Sequence, residues 1–344
     1  MIEIRLFDRK AAPRAEWEAL HAYRRLRLEE DTPGEPLYPD ADFEADVRRD
    51  WPLWESRRLM AWRDGSVVGN CGHSFRRPGS PDFAAHPAHV NVWGGVLRPF
   101  RRQGIATALL RATLPFIDGM GKTVISAGTA LPEGHAFMAA VGFAEKHRSV
   151  ENRLDLAALD WEMVAAWQAG EVPAGLTREI HSGRAPLGRL EALYPQFTAL
   201  LQTVPLGALE TPPPRYEIAA TRVWYDELER HGGAHHLVLL MAGATVAGMC
   251  EAHADARFPD RVFQALTAVA PAWRGRGLAK WLKAKMLLLV RAAHPQARLM
   301  ITSNANVNAP MLSINQRLGF RLHRQDSAWQ ISRAALGRYL AGEA

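Results

Sequence analysis

The sequence predicts an α/β protein of two tandem domains, each a mixed, mostly antiparallel sheet with helices on both faces. Three observations predict it. A glycine turn between an apolar, strand-like run and a helix-like run occurs twice, as RRQGIAT at 101–107 and RGRGLAK at 274–280. The flanking segments recur in the same order: VVGNCGH with VAGMCEA, AAVGF with QRLGF, and LDLAALDWEMVAAW with WQISRAALGRYLAG. The spacing between copies drifts only from 173 (Gly104 to Gly277) through 177 (Phe143 to Phe320) to 179 (Cys71 to Cys250), as loop insertions produce. Finally, 344 residues with 48% hydrophobic content suffice for two cores. The expected domains are 1–156 and 176–344. Between them, 157–175 is expected to be a helical linker, AALDWEMVAAWQAG followed by the Pro/Gly stretch EVPAG.

The first repeat opens with a strand, IEIRLF. A helix follows over 14–30, with Trp17, Leu20 and Tyr23 spaced for one face. The acidic stretch Asp31 to Asp50 comes next; its carboxylates are expected to be solvated, or to attract a cationic amine. RRLMAWRDGSVVGNCGHSF reads as two strands around an Asp64-Gly65 turn. HVNVWGGVL is a strand leading into the glycine turn and its helix. KTVISAGT is a strand, HAFMAAVGF a short helix ending at Gly142, and HRSVENRLDL a final strand. The second repeat follows suit, with LVLLMAGATVAGMC as a hairpin, VFQALTAVA, RLMITSN, APMLSINQRLGF and SAWQIS. His73, His89 and Asn91 are expected at strand rims.

The net charge of +6 is spread thinly: 22 basic and 21 acidic residues through 156, then 20 and 15. Mixed charge of this kind disfavours a nucleic-acid reader. Two cysteines, one per repeat, read as buried core thiols, which suits a reducing cytoplasm. The N-terminus alternates and carries early charge, so it is not a signal peptide. No apolar run is long enough to cross a bilayer.

A strand running through a glycine turn into a helix N-terminus is an anion site: free N–H groups of the first turn point outward and the helix dipole adds positive potential. Arg101 and Arg274 at the turns offer charge-assisted contacts. The ligand is therefore expected to carry phosphate.

The pattern V-x-x-x-x-R-x-x-G-x-A (Val96 to Ala106, Val269 to Ala279), with Gly-Phe closing the short helix (Gly142-Phe143, Gly319-Phe320), resembles the GNAT superfamily of acyl-CoA-dependent N-acyltransferases. The chain looks like its tandem members, the mycothiol synthase type among them. The resemblance implies acetyl-CoA as co-substrate, no metal, and a small-molecule primary amine as acceptor. It implies that pyrophosphate rests on Arg274, Gly275, Arg276, Gly277, Leu278 and Ala279, and likewise on Arg101, Arg102, Gln103, Gly104, Ile105 and Ala106. Pantetheine is expected along Val269 (and Val96). Asn304 and Asn308 stand where family members touch cofactor, while the first repeat has Ala127, Leu131 and Met138 at the places of Asn304, Asn308 and Asn315. The second repeat is therefore expected to be catalytic and the first degenerate.

Two departures from the family pattern follow. The usual Tyr acid is replaced by Asn315 (Met138 in the first copy), which has no ionisable proton but can hydrogen-bond a sulfur. The usual strand Glu is replaced by Phe263 and Val90. Glu251 and His253, alternating onto one face of a neighbouring strand, are the replacement candidates, with a salt-bridging Glu and a solvent-facing His as the plain alternative. Tyr216, Trp224 and Tyr225 are expected to wall an acceptor pocket or to pack the lid. The expected function is an acetyl-CoA-dependent N-acetyltransferase, probing no nucleic acid or membrane, with a monomer favoured over a homodimer. The alternatives are an acyl-CoA-binding sensor and a CoA-independent aminoacyl or peptidyl transferase on the same scaffold.

Overall fold

The structure, a computed structural model, describes residues 1–80, 83–86, 88–204, 207–211, 213–305 and 308–343. The first repeat runs β1 (Glu3–Leu6), α1 (Arg14–Asp31), α2 (Asp40–Arg48), β2 (Trp54–Arg63), β3 (Ser66–Arg76), β4 (His89–Val96), α3 (Ile105–Gly119), β5 (Val124–Thr129), α4 (Pro132–Val141), β6 (Ala144–Asp155) and α5 (Trp161–Ala169). The second repeats that order as β7 (Leu176–His181), α6 (Leu187–Leu201), α7 (Ile218–Arg230), β8 (Ala234–Ala242), β9 (Thr245–Ala254), β10 (Arg261–Val269), α8 (Leu278–Ala293), β11 (Leu299–Ala305), α9 (Ala309–Leu318), β12 (Arg321–Ser332) and α10 (Arg333–Ala341).

The chain forms two compact units, but they do not divide at 157–175. Unit 1 holds residues 1–146, a short piece around Glu210, and 327–344. Unit 2 holds most of 147–326. Each repeat gives its closing strand and helix to the other's unit. In unit 1 the strand order is β1-β2-β3-β4-β5, completed by Ser327–Ser332 of β12, which pairs antiparallel with β5. In unit 2 the order is β7-β8-β9-β10-β11, completed by β6, where Ser149–Asp155 pairs antiparallel with β11. The segment expected to be a linker is core: Val164 of α5 is fully buried beside α8, with Trp161, Met163 and Trp167 packed around it. Likewise Leu336 and Leu340 of α10 pack on Leu109, Leu110 and Ile117 of unit 1. Asp160 and Ser332 cap these two helices, accepting from the Met163 and Ala335 N–H groups.

Alternation sets the two faces of each sheet. In unit 2, Leu237, Leu239 and Met241 join Phe197 and Tyr225 of α6 and α7, while Val238 and Leu240 join Trp281, Leu282 and Leu287 of α8. Strands buried on both faces read as continuous apolar runs, as β8 does. In unit 1, Met60 and Trp62 meet Trp17 and Leu20 of α1, while Leu59 and Ala61 face Leu109 of α3. Both cysteines are buried free thiols. No helix among the described residues is long and apolar enough to cross a membrane. His73, expected at a rim, is fully buried: it lies in the middle of β3, covered by Phe116 of α3 at a ring distance of 5.4 Å.

Candidate functional site

In each unit a parallel pair of strands parts into a cleft. In unit 2, β10 and β11 pair from Arg261–Leu299 to Gln264–Thr302, and β10 then runs on to Val269 without that partner. In unit 1, β4 and β5 pair only from His89–Val124 to Asn91–Ser126, and β4 runs on to Val96. Each departing strand feeds a short 3-10 turn and then the glycine turn. Gly104 and Gly277 both have φ +77° and stand at the N-cap of α3 and α8. No atom lies within 4 Å of where a Cβ would stand at Gly275 or Gly277, so that seat is open.

The two turns differ electrostatically. In unit 1, Arg101 donates from Nε to the Val96 carbonyl (2.9 Å) and from Nη2 to Asp31 (3.0 Å). Glu30 accepts the Arg98 N–H at 3.0 Å. Much of the acidic stretch that begins here is spent on internal partners: Asp40 on Arg25, Glu44 on Arg14 and His21, and Asp50 on Arg9 and Lys10. The backbone of β4 is also claimed. Tyr23 Oη lies 2.9 Å from the Gly95 carbonyl, and Arg27 donates to Val96 at 3.1 Å. In unit 2, Arg274 makes the equivalent bond to the Val269 carbonyl (3.1 Å), but neither it nor Arg276 nor Lys280 has an acidic partner among the described residues. Arg276 lies over Trp273 and Lys280 over Trp167. Arg102 stands where unit 2 has Gly275 and holds φ +62°, a region that costs an L residue energy.

Two of the three asparagines meet beside the parting strands of unit 2. Asn315, on α9, is buried and donates to Asn304 Oδ1 at 2.7 Å, and its own Oδ1 has no partner among the described residues. Asn308 occupies the N-cap position of α9, yet its side chain caps no N–H. In unit 1, Ala127, Phe137 and Met138 pack apolar contacts instead, with Trp329 of β12 opposite Ala127.

Glu251 and His253 alternate onto the α6/α7 face, away from Asn315, which lies with α9 on the α8 side; no bond joins the three. Glu251 is buried and accepts from the Tyr216 hydroxyl at 2.5 Å, and its other oxygen is 3.6 Å from His235 Nε2. Burial and the Glu251 charge push the Tyr216 hydroxyl far up, so it stays a donor. His235, which sequence reasoning missed, is oriented from behind. The Ala185 N–H donates to the Tyr225 hydroxyl (3.1 Å), which lies 2.8 Å from His235 Nδ1. In the tautomer with its proton on Nε2, His235 accepts from the Tyr225 hydroxyl at Nδ1 and turns Nε2–H towards Glu251. His253 stacks on its register partner Phe263 (5.4 Å), edge-on to Trp224 (5.8 Å), and burial lowers its pKa. Opposite Glu251, the β9–β10 register shifts between Gln264 and Thr267. Such a bulge leaves backbone unpaired beside the cleft. The β3–β4 ladder of unit 1 runs from Gly69–Val96 to Ser74–Asn91 with no such shift.

The acetyltransferase (GNAT) family model matches residues 20–147 and 201–320. Among solved structures, a tandem GNAT protein from the clavulanic acid biosynthesis pathway aligns with a TM-score of 0.75 at 20% identity, over 97% of this chain and 99% of that one. A GCN5-related N-acetyltransferase from Sphaerobacter thermophilus aligns at 0.65 and 16% identity, over 96% of each chain. A GCN5-related glucosamine N-acetyltransferase region of a fungal multi-domain GH3 β-N-acetylglucosaminidase aligns at 0.63 and 14%, over 96% of this chain and 38% of that one. At these identities the structural likeness is one of fold. A search of curated proteins found no match.

Proposed function

Because the chain belongs to the acetyltransferase (GNAT) family, we propose that it is an acetyl-CoA-dependent N-acetyltransferase of a small primary amine, with its chemistry in unit 2. The observation that carries this is the contrast between the two turns. Both glycine seats are open, but only unit 2 has three cations at its turn without acidic partners among the described residues. In unit 1, side chains occupy the β4 carbonyls and carboxylates sit at the turn.

The residues fit acetyl-CoA. The N–H groups of Arg276 to Ala279 would hold the pyrophosphate, with Arg274, Arg276 and Lys280 supplying charge. The unpartnered Asn315 Oδ1 is a buried acceptor that needs a donor, and an amide-bearing arm along the cleft provides one. Asn304 and Asn308 would extend that contact. Bound acetyl-CoA supplies an activated thioester. Unpaired backbone N–H at the Ala265–Leu266 bulge would stabilise negative charge developing on the carbonyl oxygen. Glu251, held by Tyr216 and facing His235, would draw in the ammonium and take its proton, freeing the amine to attack. Asn315 would hydrogen-bond the departing sulfur. Both cysteines being buried thiols supports a reducing, cytoplasmic setting.

Calorimetric titration of the full chain with acetyl-CoA tests the reading, followed by thiol release with a panel of amines. One site per chain and amine-dependent release are expected. Binding without release for any amine points to an acyl-CoA-binding protein. No binding overturns the proposal.

A further inference from the structure

Between α8 and the sheet of unit 2 lies a polar group of side chains that the proposed chemistry does not use. Lys283 is 1% exposed. Its Nζ donates to Gln264 Oε1 and lies 5.2 Å above the Phe320 ring, and among the described residues it forms no salt bridge. Gln264 Nε2 donates to Cys250 Sγ at 3.2 Å, and Cys250 lies 3.2 Å from Thr267 Oγ1. Thr302 donates from Oγ1 to the Gln264 carbonyl at 3.2 Å, across the last paired rung before the strands part. An ammonium buried without a counter-charge destabilises a core, and burial lowers the Lys283 pKa to about 8. A feature with that cost needs a compensating role.

Strand parity supplies one. Gln264 and Thr267 are three residues apart, so in a regular strand their side chains point to opposite faces. Here both face Cys250 on the α8 side. That is possible only because one residue is looped out between them, which is the register shift seen in β10. Unit 1 is an internal control. At the place of Lys283 it has Leu110, and its layer beneath α3 is built from Cys71, Val90, Val92, Val96, Leu110 and Ile125. Val90, Val92 and Val96 are separated by even numbers of residues, as one face of an unbroken strand requires, the Lys–Gln network is gone, and so is the bulge.

We infer that Lys283 and Gln264 are positioning residues, whose bond fixes the β10 bulge at Ala265–Leu266 and so aims its free backbone N–H into the cleft. This rests on the acyl-transfer reading above for its consequence, though not for its geometry. Lys283 touches no reacting atom; it acts through Gln264.

The test converts unit 2 to the arrangement of unit 1, with Gln264→Val and Lys283→Leu together in the full chain. Removing a buried charge is expected to leave Tm equal or higher. The acetyl-CoA Kd is expected to stay within about 3-fold while kcat falls about 100-fold, as for loss of one oxyanion donor. A crystal structure of the variant is expected to show β9 and β10 in unbroken register. A retained bulge, or an unchanged kcat, overturns the proposal. A merely structural role would instead lower Tm and kcat and raise Kd together. If the parent chain binds acetyl-CoA but releases no thiol with any amine, the acyl-transfer reading fails, and the register of the variant still decides the role of Lys283. Should the double variant not fold, Lys283→Met carries the same measurements.

Discussion

Placing a carboxylate on the phosphate seat separates the two turns. Gly277 has φ +77° and nothing within 4 Å of its missing Cβ, so Gly277→Glu meets no clash in the protein itself. Its intrinsic cost is the left-handed backbone, roughly 1–2 kcal/mol, and Arg102, two residues before the equivalent Gly104, tolerates φ +62° in unit 1. The chain should therefore still fold. Acetyl-CoA binding should suffer far more. The new side chain projects into the space where pyrophosphate would sit and carries the same sign of charge. Losing two N–H contacts to a charged group, at about 1.5–3 kcal/mol each, removes about 3–6 kcal/mol. That corresponds to a rise in Kd of about 10²- to 10⁴-fold. Calorimetry on the full chain measures it directly, with circular dichroism to confirm folding. The matching Gly104→Glu change should alter neither stoichiometry nor Kd, because unit 1 already holds Glu30 and Asp31 at its turn. A Kd within about 3-fold of the parent for Gly277→Glu would refute the phosphate seat. Equal losses in both variants would refute the asymmetry.

Three further outcomes are expected. Arg102→Gly relieves a left-handed arginine at roughly 1–2 kcal/mol against about 0.5–1 kcal/mol of added chain entropy, so thermal unfolding of unit 1 should move up by a degree or two; an unchanged or lowered midpoint contradicts it. His73 is buried without partners and its pKa is lowered to about 4 by burial, so the unfolded chain, titrating near 6.5, binds the proton first. Stability is then complete above pH 6.5 and falls by roughly 2–3 kcal/mol as pH drops towards 4, and His73→Leu should flatten that part of a urea-unfolding pH profile. Leu336→Ala should cost about 2–5 kcal/mol in unit 1 and leave acetyl-CoA affinity intact, whereas Val164→Ala should loosen unit 2; hydrogen exchange resolves which unit opens, and protection lost from unit 2 with Leu336→Ala would contradict the packing.

The order of elements was readable because each rests on local signals. Periodicity marks α1 and α8, Asp64-Gly65 marks the β2–β3 hairpin, and glycines mark the turns. The partner of each closing strand was not readable. HRSVENRLDL and SAWQIS both look like final strands, and nothing local says which β strand either will join, since the repeats offer near-equivalent edges. His73 looked like a rim residue because a histidine in a strand carries no mark of depth. Lys283 had a signal that went unused: within an apolar helical stripe it stands where the other copy has Leu110. His235 had none, since its role depends on Tyr225 and Ala185, brought to it by a different helix and loop. The inequality of the turns was half visible, in the missing asparagines, while the occupation of β4 by Tyr23 and Arg27 comes only from how α1 lies on the sheet.

The traded strands and helices give the duplicated gene a property that neither copy had alone. Cutting the chain between the repeats would not yield two smaller proteins. It would strip β6 and α5 from the piece holding Gly277, and β12 and α10 from the piece holding Gly104. Each fragment would carry away the part its sibling lacks, and would expose an unpaired sheet edge on β11 or β5, which is where foreign strands add. The first repeat is thus retained by necessity, whatever its own turn binds: it supplies β6 and α5 to the unit that holds Gly277.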